Sequence, residues 1–253
     1  MDRGTYSAAS GGLVQLKKLE IINNNLANVN TAGFKRQVIV GKTQSFEETL
    51  ASTLSTTDTF AKGDHQRTPG VVNIRTATDF TPGPIKNTGN PMDVALLNPN
   101  DFFVVDTPGG QQFTRAGNFT LNEAGEVGTA DGMPVMGDGG ALVANGVGVK
   151  ISNDGSVTVD GVRTGKLRVV RFSDTSELTP VGNTRFTKAA GGVEPETVEA
   201  EVEPAALEMA NVSVINGVLD LISANRAFDM YTRSAKSIDD MNMVSITQVG
   251  RRR

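Results

Sequence analysis

Apolar positions recur every three or four residues toward both ends of the chain and fall into short alternating runs between them. Over roughly residues 5–28 they come in two sets: Tyr6, Ala9, Leu13 and Leu16, then Leu19, Ile22, Leu26 and Val29. Each set steps by three and four, which predicts a helix with a narrow coiled-coil-like seam. The sets join by a step of three, so the seam is expected to shift once around the helix. Asn23, Asn24, Asn25 and Asn28 favour turns over helix, and Gly33 is able to take the left-handed conformation. The helix is therefore expected to stop near residues 28–31. A longer helix is predicted over roughly residues 213–249. There Leu221, Ala224, Phe228, Tyr231, Ala235 and Ile238 form an unbroken heptad seam, continued by Met241 and Val244 after a phase slip. Asp229 and Arg233 stand four apart on its polar side, in the order that favours an ion pair.

Between the helices the period changes. Residues 92–97, 101–105, 112–115, 118–121, 147–151, 156–159 and 166–172 read as short strands separated by turn residues. Asp154-Gly155 between two such runs is a hairpin signal. The acidic stretch 191–204, with Glu194, Glu196, Glu199, Glu201 and Glu203, reads equally as a last strand or as a solvated linker. The expected fold is a mainly β central body with N- and C-terminal α-helices that pair as a coiled-coil-like assembly domain. It divides into an N-terminal helical segment (1–36), an extended or partly disordered connector (37–79), a β-rich body (80–204) and a C-terminal helical segment (205–253) packed with the first. Ala9, Ala224 and Ala235 are short enough to let the two helices approach closely.

Composition supports a turn-rich body: 28 glycines accompany an aromatic content of 5%. The net charge of −4 carries no basic stripe of the kind nucleic acid requires. Arg251, Arg252 and Arg253 are the local exception and read as a solvated tail. With no cysteine, Cys–His pairs and Cys/His zinc sites are excluded. The one histidine, His65, lies in the polar connector, a poor place for a catalytic triad. Asp93, Asp101, Asp106, Asp131, Asp138, Asp154 and Asp160 are candidates for acid/base work, but Asp131, Asp138 and Asp154 each precede glycine, as turn residues do. Gly137-Asp138-Gly139-Gly140 lacks the lysine and spacing of a phosphate loop. No residue is assigned to catalysis, a cofactor or a metal. No basic segment followed by an apolar run marks a cleaved signal peptide. No apolar stretch reaches the ~18–20 residues of a membrane span, so membrane insertion is not expected.

Three blocks of the chain stand out as signatures. The first is Asn24-Asn25-Leu26-Ala27-Asn28-Val29-Asn30-Thr31-Ala32-Gly33-Phe34-Lys35-Arg36. The second is Thr88-Gly89-Asn90-Pro91-Met92-Asp93, followed by Phe102-Phe103 and Phe113-Thr114-Arg115-Ala116-Gly117-Asn118-Phe119. The third runs from Ala210-Asn211-Val212-Ser213-Val214 through Asn225-Arg226-Ala227-Phe228 to Asp239-Asp240-Met241. Together the blocks resemble the signatures of the flagellar rod, hook and hook-associated axial proteins, with two departures: Asn98-Pro99-Asn100-Asp101 replaces the family's Gly-rich turn, and Asn225 stands where Gln is usual.

The resemblance implies a structural subunit, not an enzyme, exported without a cleaved signal by the flagellar type III apparatus. It implies assembly with itself and other rod proteins into the helical axial tube that transmits motor torque, at the periplasmic rod of the basal body. The terminal helices would form the inner layer of that tube and the β body the outer one. Residues 79–85 and the modest length look closest to a proximal rod subunit, with a distal rod subunit next and a hook subunit as a further alternative. The expected assembly interface is Leu13, Leu16, Ile22, Leu26, Leu221, Ala224, Phe228, Tyr231, Ala235 and Ile238. Two readings from other classes make different demands. A secreted β-domain binding module with a helical dimerisation stalk needs a ligand pocket within 80–187. A glycan-processing enzyme needs a pair of facing carboxylates.

Overall fold

The computed structural model of the chain describes residues 3–43, 72–122, 124–146, 148–189 and 191–250. His65, the middle of the connector, and Arg251, Arg252 and Arg253 lie outside them. The chain forms two compact units, one drawn from Met1–Leu26, Val38–Ala77 and Val214–Arg253, the other from Ala27–Gln37 and Thr78–Ser213. The boundaries differ from those expected: the stretches that follow the first helix and precede the second belong to the β unit.

The helical unit contains α1 (Arg3–Ala27) and α2 (Val214–Gly250), which pack together, and a two-stranded sheet of Gln37–Thr43 with Val72–Thr78. The helix pair is antiparallel, since Gly11 and Gly12 lie beside Tyr231 and Phe228 while Leu26 lies beside Gly217. On α2 the buried or half-buried line is Leu221, Ala224, Phe228, Ala235 and Ile238, with Tyr231 on its margin at 38% exposure. On α1 the corresponding line is Ala8, Gly12, Gln15, Leu19, Ile22 and Leu26. It keeps one phase throughout, so the expected shift does not occur. Leu13 and Leu16 instead face outward, 66% and 45% exposed. The inward positions of the first turns are glycine because an aromatic ring takes their space: a Cβ on Gly11 would lie 2.3 Å from Cε1 of Tyr231. A scan for apolar side chains passes over such positions.

The β unit is built on a six-stranded antiparallel sheet in the order Leu178–Gly182, Arg185–Lys188, Gly110–Thr114, Asp101–Thr107, Val169–Arg171, Glu196–Val198. Because side chains alternate along a strand, the run Phe102-Phe103-Val104-Val105 serves both faces. Phe103 and Val105 enter a core with Val94, Phe119, Val157 and Val169, while Phe102 and Val104 enter a second with Phe113, Phe172 and Phe186. In the second core the Phe80 ring sits 5.7 Å from that of Phe102 and 5.0 Å from that of Phe186, so the residue expected to begin the body also closes this face. The first core is shared with a three-stranded sheet of Val149–Ile151, Ser156–Val159 and Val162–Lys166. Its first two strands form the hairpin expected at Asp154-Gly155. Of the two readings of residues 191–204, the strand is the one observed: Glu196–Val198 is an edge of the large sheet, and Val202–Pro204 pairs with Val94–Leu96.

Candidate functional site

The ten residues expected at an assembly interface all lie on the helix pair, and the structure sorts them into two groups. Ile22 and Ala224 are buried, and Leu26, Leu221, Phe228, Ala235 and Ile238 are half-buried, with Tyr231 at the rim. Leu13 and Leu16 are presented outward. They are joined on the exposed surface by apolar residues of α2 outside the heptad seam, among them Ile215 at 74%, Leu219 at 60%, Met230 at 65% and Ile246 at 73% exposure. Solitary exposed apolar side chains are ordinary, whereas several along one helix make it a candidate for contact with another molecule. With 37 residues against 25, α2 outreaches α1, and Met241, Met243 and Val244 stand exposed in its last turns.

A second site lies where the β unit receives the two chain segments that lead to the helices. Residues 28–37 cross it as a strap. Gly33 N–H donates to the Glu208 carbonyl at 2.8 Å, and Asp79 N–H donates to the Arg36 carbonyl at 2.9 Å. Arg36 N–H donates to Oδ1 of Asn211, and its guanidinium pairs with Asp79. Gly33 has φ +68°, and a Cβ there would lie 2.2 Å from the Ala116 nitrogen, so both conformation and space demand glycine.

Beneath the strap is a buried ion cluster. Lys35 Nζ donates to Oε1 of Glu208 at 2.7 Å and to the Thr81 carbonyl at 2.8 Å. Arg115 donates from Nε to Oε2 of Glu208 at 2.8 Å, and its NH1 donates to the carbonyls of Asn98 and Asp101 at 2.6 Å each. Gly83 N–H donates to Oε1 of Glu208 at 3.0 Å. The side chains of all three ions are 1% exposed. One carboxylate thus joins the strap, the entry to the body, the strand end at Arg115 and the exit toward α2. Sequence reading did not find this cluster, because its members stand 173 and 93 residues apart.

Burial alone would raise the carboxyl of Glu208, but Arg115 and Lys35 outweigh it and hold it below its usual 4.5. Burial pushes the Lys35 ammonium down from its usual 10.5, against the pull of Glu208. The depressed carboxyl contributes stability that is complete above the unfolded value and is lost as pH falls through the folded one. Melting followed from about pH 7 to about pH 3 should therefore show a loss of stability below 4.5 that is smaller in Glu208→Gln. Equal acid slopes for the two proteins would place that titration elsewhere.

Four of the carboxylates considered for chemistry have structural occupations. Asp93 accepts from Thr88 Oγ1 at 2.6 Å and Asn90 Nδ2 at 2.9 Å, holding the loop before its strand. Asp101 is paired with Arg171, and Asp131 with Arg185. Asp154 accepts from the hydroxyl and the amide of Ser156 in the hairpin turn, which holds its carboxyl below the usual range. Against burial, hydrogen bonds from Thr129 and Asn183 do the same for Asp131. A general acid needs the opposite shift. Among the described residues no cluster of three or more His, Asp or Glu could hold a metal ion, and no helix is long and apolar enough to cross a membrane.

Comparison with known proteins matches three stretches of the chain. Residues 6–35 match the flagella basal body rod protein family, residues 96–159 the flagellar hook protein FlgE/F/G D1 domain, and residues 203–248 the flagellar basal body rod FlgEFG protein C-terminal family. The flagellar basal-body rod protein FlgF of Rhizobium meliloti is 31% identical over 239 residues, 92% of this chain and 91% of its own length. The protein of the same name from Caulobacter vibrioides is 28% identical over 254 residues, 99% of both chains. The rod protein FlgG of Caulobacter vibrioides is 29% identical over 260 residues, covering 93% of this chain and 95% of its own length. The first matched stretch ends on Lys35, the second includes Arg115, and the third includes Glu208.

Proposed function

Because this chain belongs to the flagellar basal-body rod protein family, we propose that its helix pair is the part that polymerises, through the apolar residues it leaves outside its own seam. The chain is a structural subunit of the bacterial flagellar basal-body rod. The observation that carries the proposal is that each helix hides one line of side chains and presents another: Leu13 and Leu16 on α1, Ile215, Leu219 and Met230 on α2. Such a surface meets a different surface of the next copy, and a contact of that kind that does not close on itself builds a helical filament. The partners are other copies and other rod proteins, delivered through the flagellar type III apparatus, and the finished rod crosses the periplasm and carries motor torque. The full-length similarity to two FlgF proteins supports a place in the proximal rod. No catalytic step belongs to this role. Two of the carboxylates that other readings would enlist, Asp131 and Asp154, are held below the usual carboxylate range by turn hydrogen bonds.

The test is recovery in purified, fractionated basal bodies. The wild-type chain should be recovered there with the rod, and Asp93→Asn, Asp131→Asn and Asp154→Asn should be recovered equally, with motility retained. Absence of the chain from the rod fraction overturns the assignment. Loss of a measurable wall-degrading activity in a folded, incorporated aspartate variant would mean that the chain is also an enzyme.

A further inference from the structure

We infer that the β unit carries a peptide-recognition site, bounded by Thr81 and Gly83, by Arg115 and Ala116, and by Glu208 and Asn211, whose ligand is the chain's own glycine–aromatic–lysine strap. The inference does not depend on the assembly role of the helices. The site reads its ligand as peptide-binding surfaces do, with main-chain bonds for hold and side-chain pockets for choice. The main-chain bonds are Gly33 N–H to the Glu208 carbonyl, Asp79 N–H to the Arg36 carbonyl, and Arg36 N–H to the Asn211 side chain. Choice operates at two positions. At Gly33 the left-handed backbone presses on Ala116, which excludes every side chain. At Lys35 a single ammonium reaches the end of a closed pocket, where Oε1 of Glu208 and the carbonyl of Thr81 accept from it.

The acceptor is set without the strap. Glu208 already takes hydrogen bonds from Arg115 and from Gly83 N–H, and Asn211 already donates to the carbonyls of Asp79 and Thr81. The carboxylate is therefore aimed before the lysine arrives, and Glu208 with Arg115 is charge-balanced by itself. The strap docks onto a surface that others hold in shape, which is what separates a bound segment from a core strand. The site thus lets the body grip the segment leading to α1 whatever the state of α1 itself.

A full-length Gly33→Val chain should release the strap. A labelled synthetic peptide with the sequence of residues 28–37, followed by fluorescence anisotropy, should then bind that chain saturably. It should bind the wild-type chain, whose site is filled, about tenfold more weakly or not at all. The same peptide carrying Lys35→Met should lose about tenfold or more in affinity for the Gly33→Val chain. Failure of the peptide to bind a folded Gly33→Val chain, or equal binding of the Lys35→Met peptide, overturns the inference. Should Gly33→Val not fold, hydrogen exchange in full-length Lys35→Met decides. Amides of Gly33, Arg36 and Asp79 should exchange about tenfold faster while those of Asp101–Thr107 hold. Acceleration of both sets together, or of neither, would make the strap an ordinary part of the core.

Discussion

Glu208→Ala lowers the melting temperature of the β unit by on the order of 10 °C, the larger of the expected effects on folding. The substitution removes the carboxylate that bridges Lys35 and Arg115, whose side chains are 1% exposed. Breaking a buried ion pair from one side costs about 3–5 kcal/mol, because the remaining charge is left unpaired away from water. Here two cations are left. Arg115 keeps its bonds to the carbonyls of Asn98 and Asp101, and Lys35 keeps Thr81, which moderates the loss. For a unit of this size each kcal/mol moves the midpoint by roughly 2–4 °C. Replacing all three ions together by Met or Leu should recover much of the loss, since an apolar cluster of similar volume asks for no counter-charge. Thermal unfolding by circular dichroism, with the sheet signal followed separately from the helical one, measures both. A Glu208→Ala midpoint within about 2 °C of wild type would show that the cluster contributes nothing net to the fold.

Phe228→Asp abolishes recovery of the chain in basal bodies while leaving the β unit folded. The ring of Phe228 lies between the helices, with Cε2 3.9 Å from where a Cβ on Gly12 would stand. Deleting a buried aromatic costs about 3–5 kcal/mol. Phe228 is half-buried in the monomer, so the monomer loses the lower end of that range. A carboxylate placed there adds its own desolvation cost, and the loss repeats in every subunit of a polymer. Leu13→Asp separates pairing from polymerisation: Leu13 is 66% exposed and adds nothing to the seam, so its replacement should leave the monomer's melting unchanged and still block incorporation. Arg233→Ala, on an exposed position of α2, should be mild in both assays. Normal incorporation of Phe228→Asp removes the helix pair from the mechanism. Normal incorporation of Leu13→Asp removes the outward leucines from it.

The contrast between Leu13 and Phe228 shows what the sequence carries and what it does not. The α2 seam was legible because a side chain with apolar mass stands at every step from Leu221 to Ile238. On α1 the inward positions include Gly12 and Gln15, and the leucines that look like a seam are the ones left outside. Periodicity records where apolar side chains are, and a helix packed around an intruding tyrosine has none at the point of closest approach. The short strands were legible from alternation and turn residues, even where one run, Phe102 to Val105, serves two cores. The ion cluster was not, because nothing local marks it. Lys35 follows a glycine and a phenylalanine, Arg115 directly follows the strand Gly110–Thr114, and Glu208 closes the short strand Ala206–Glu208. Each is an ordinary surface residue until the fold joins them, and only a buried Glu beside buried Ala206 hints at burial in retrospect. For the same reason the body's edge was expected at Phe80, whereas the body reaches back to residues 27–37.

The placement of that cluster also decides how the β unit responds to force. Tension applied to the two arms of the chain meets, within this unit, the bonds between Gly33 and Glu208 and between Arg36 and Asn211. The more than one hundred residues that lie between the strap and Glu208 along the chain form a loop closed by that clamp. A pull on the ends is therefore borne by the clamp, and the hairpins remain slack until the clamp yields. Within the β unit the clamp, not the sheet, is the mechanical fuse.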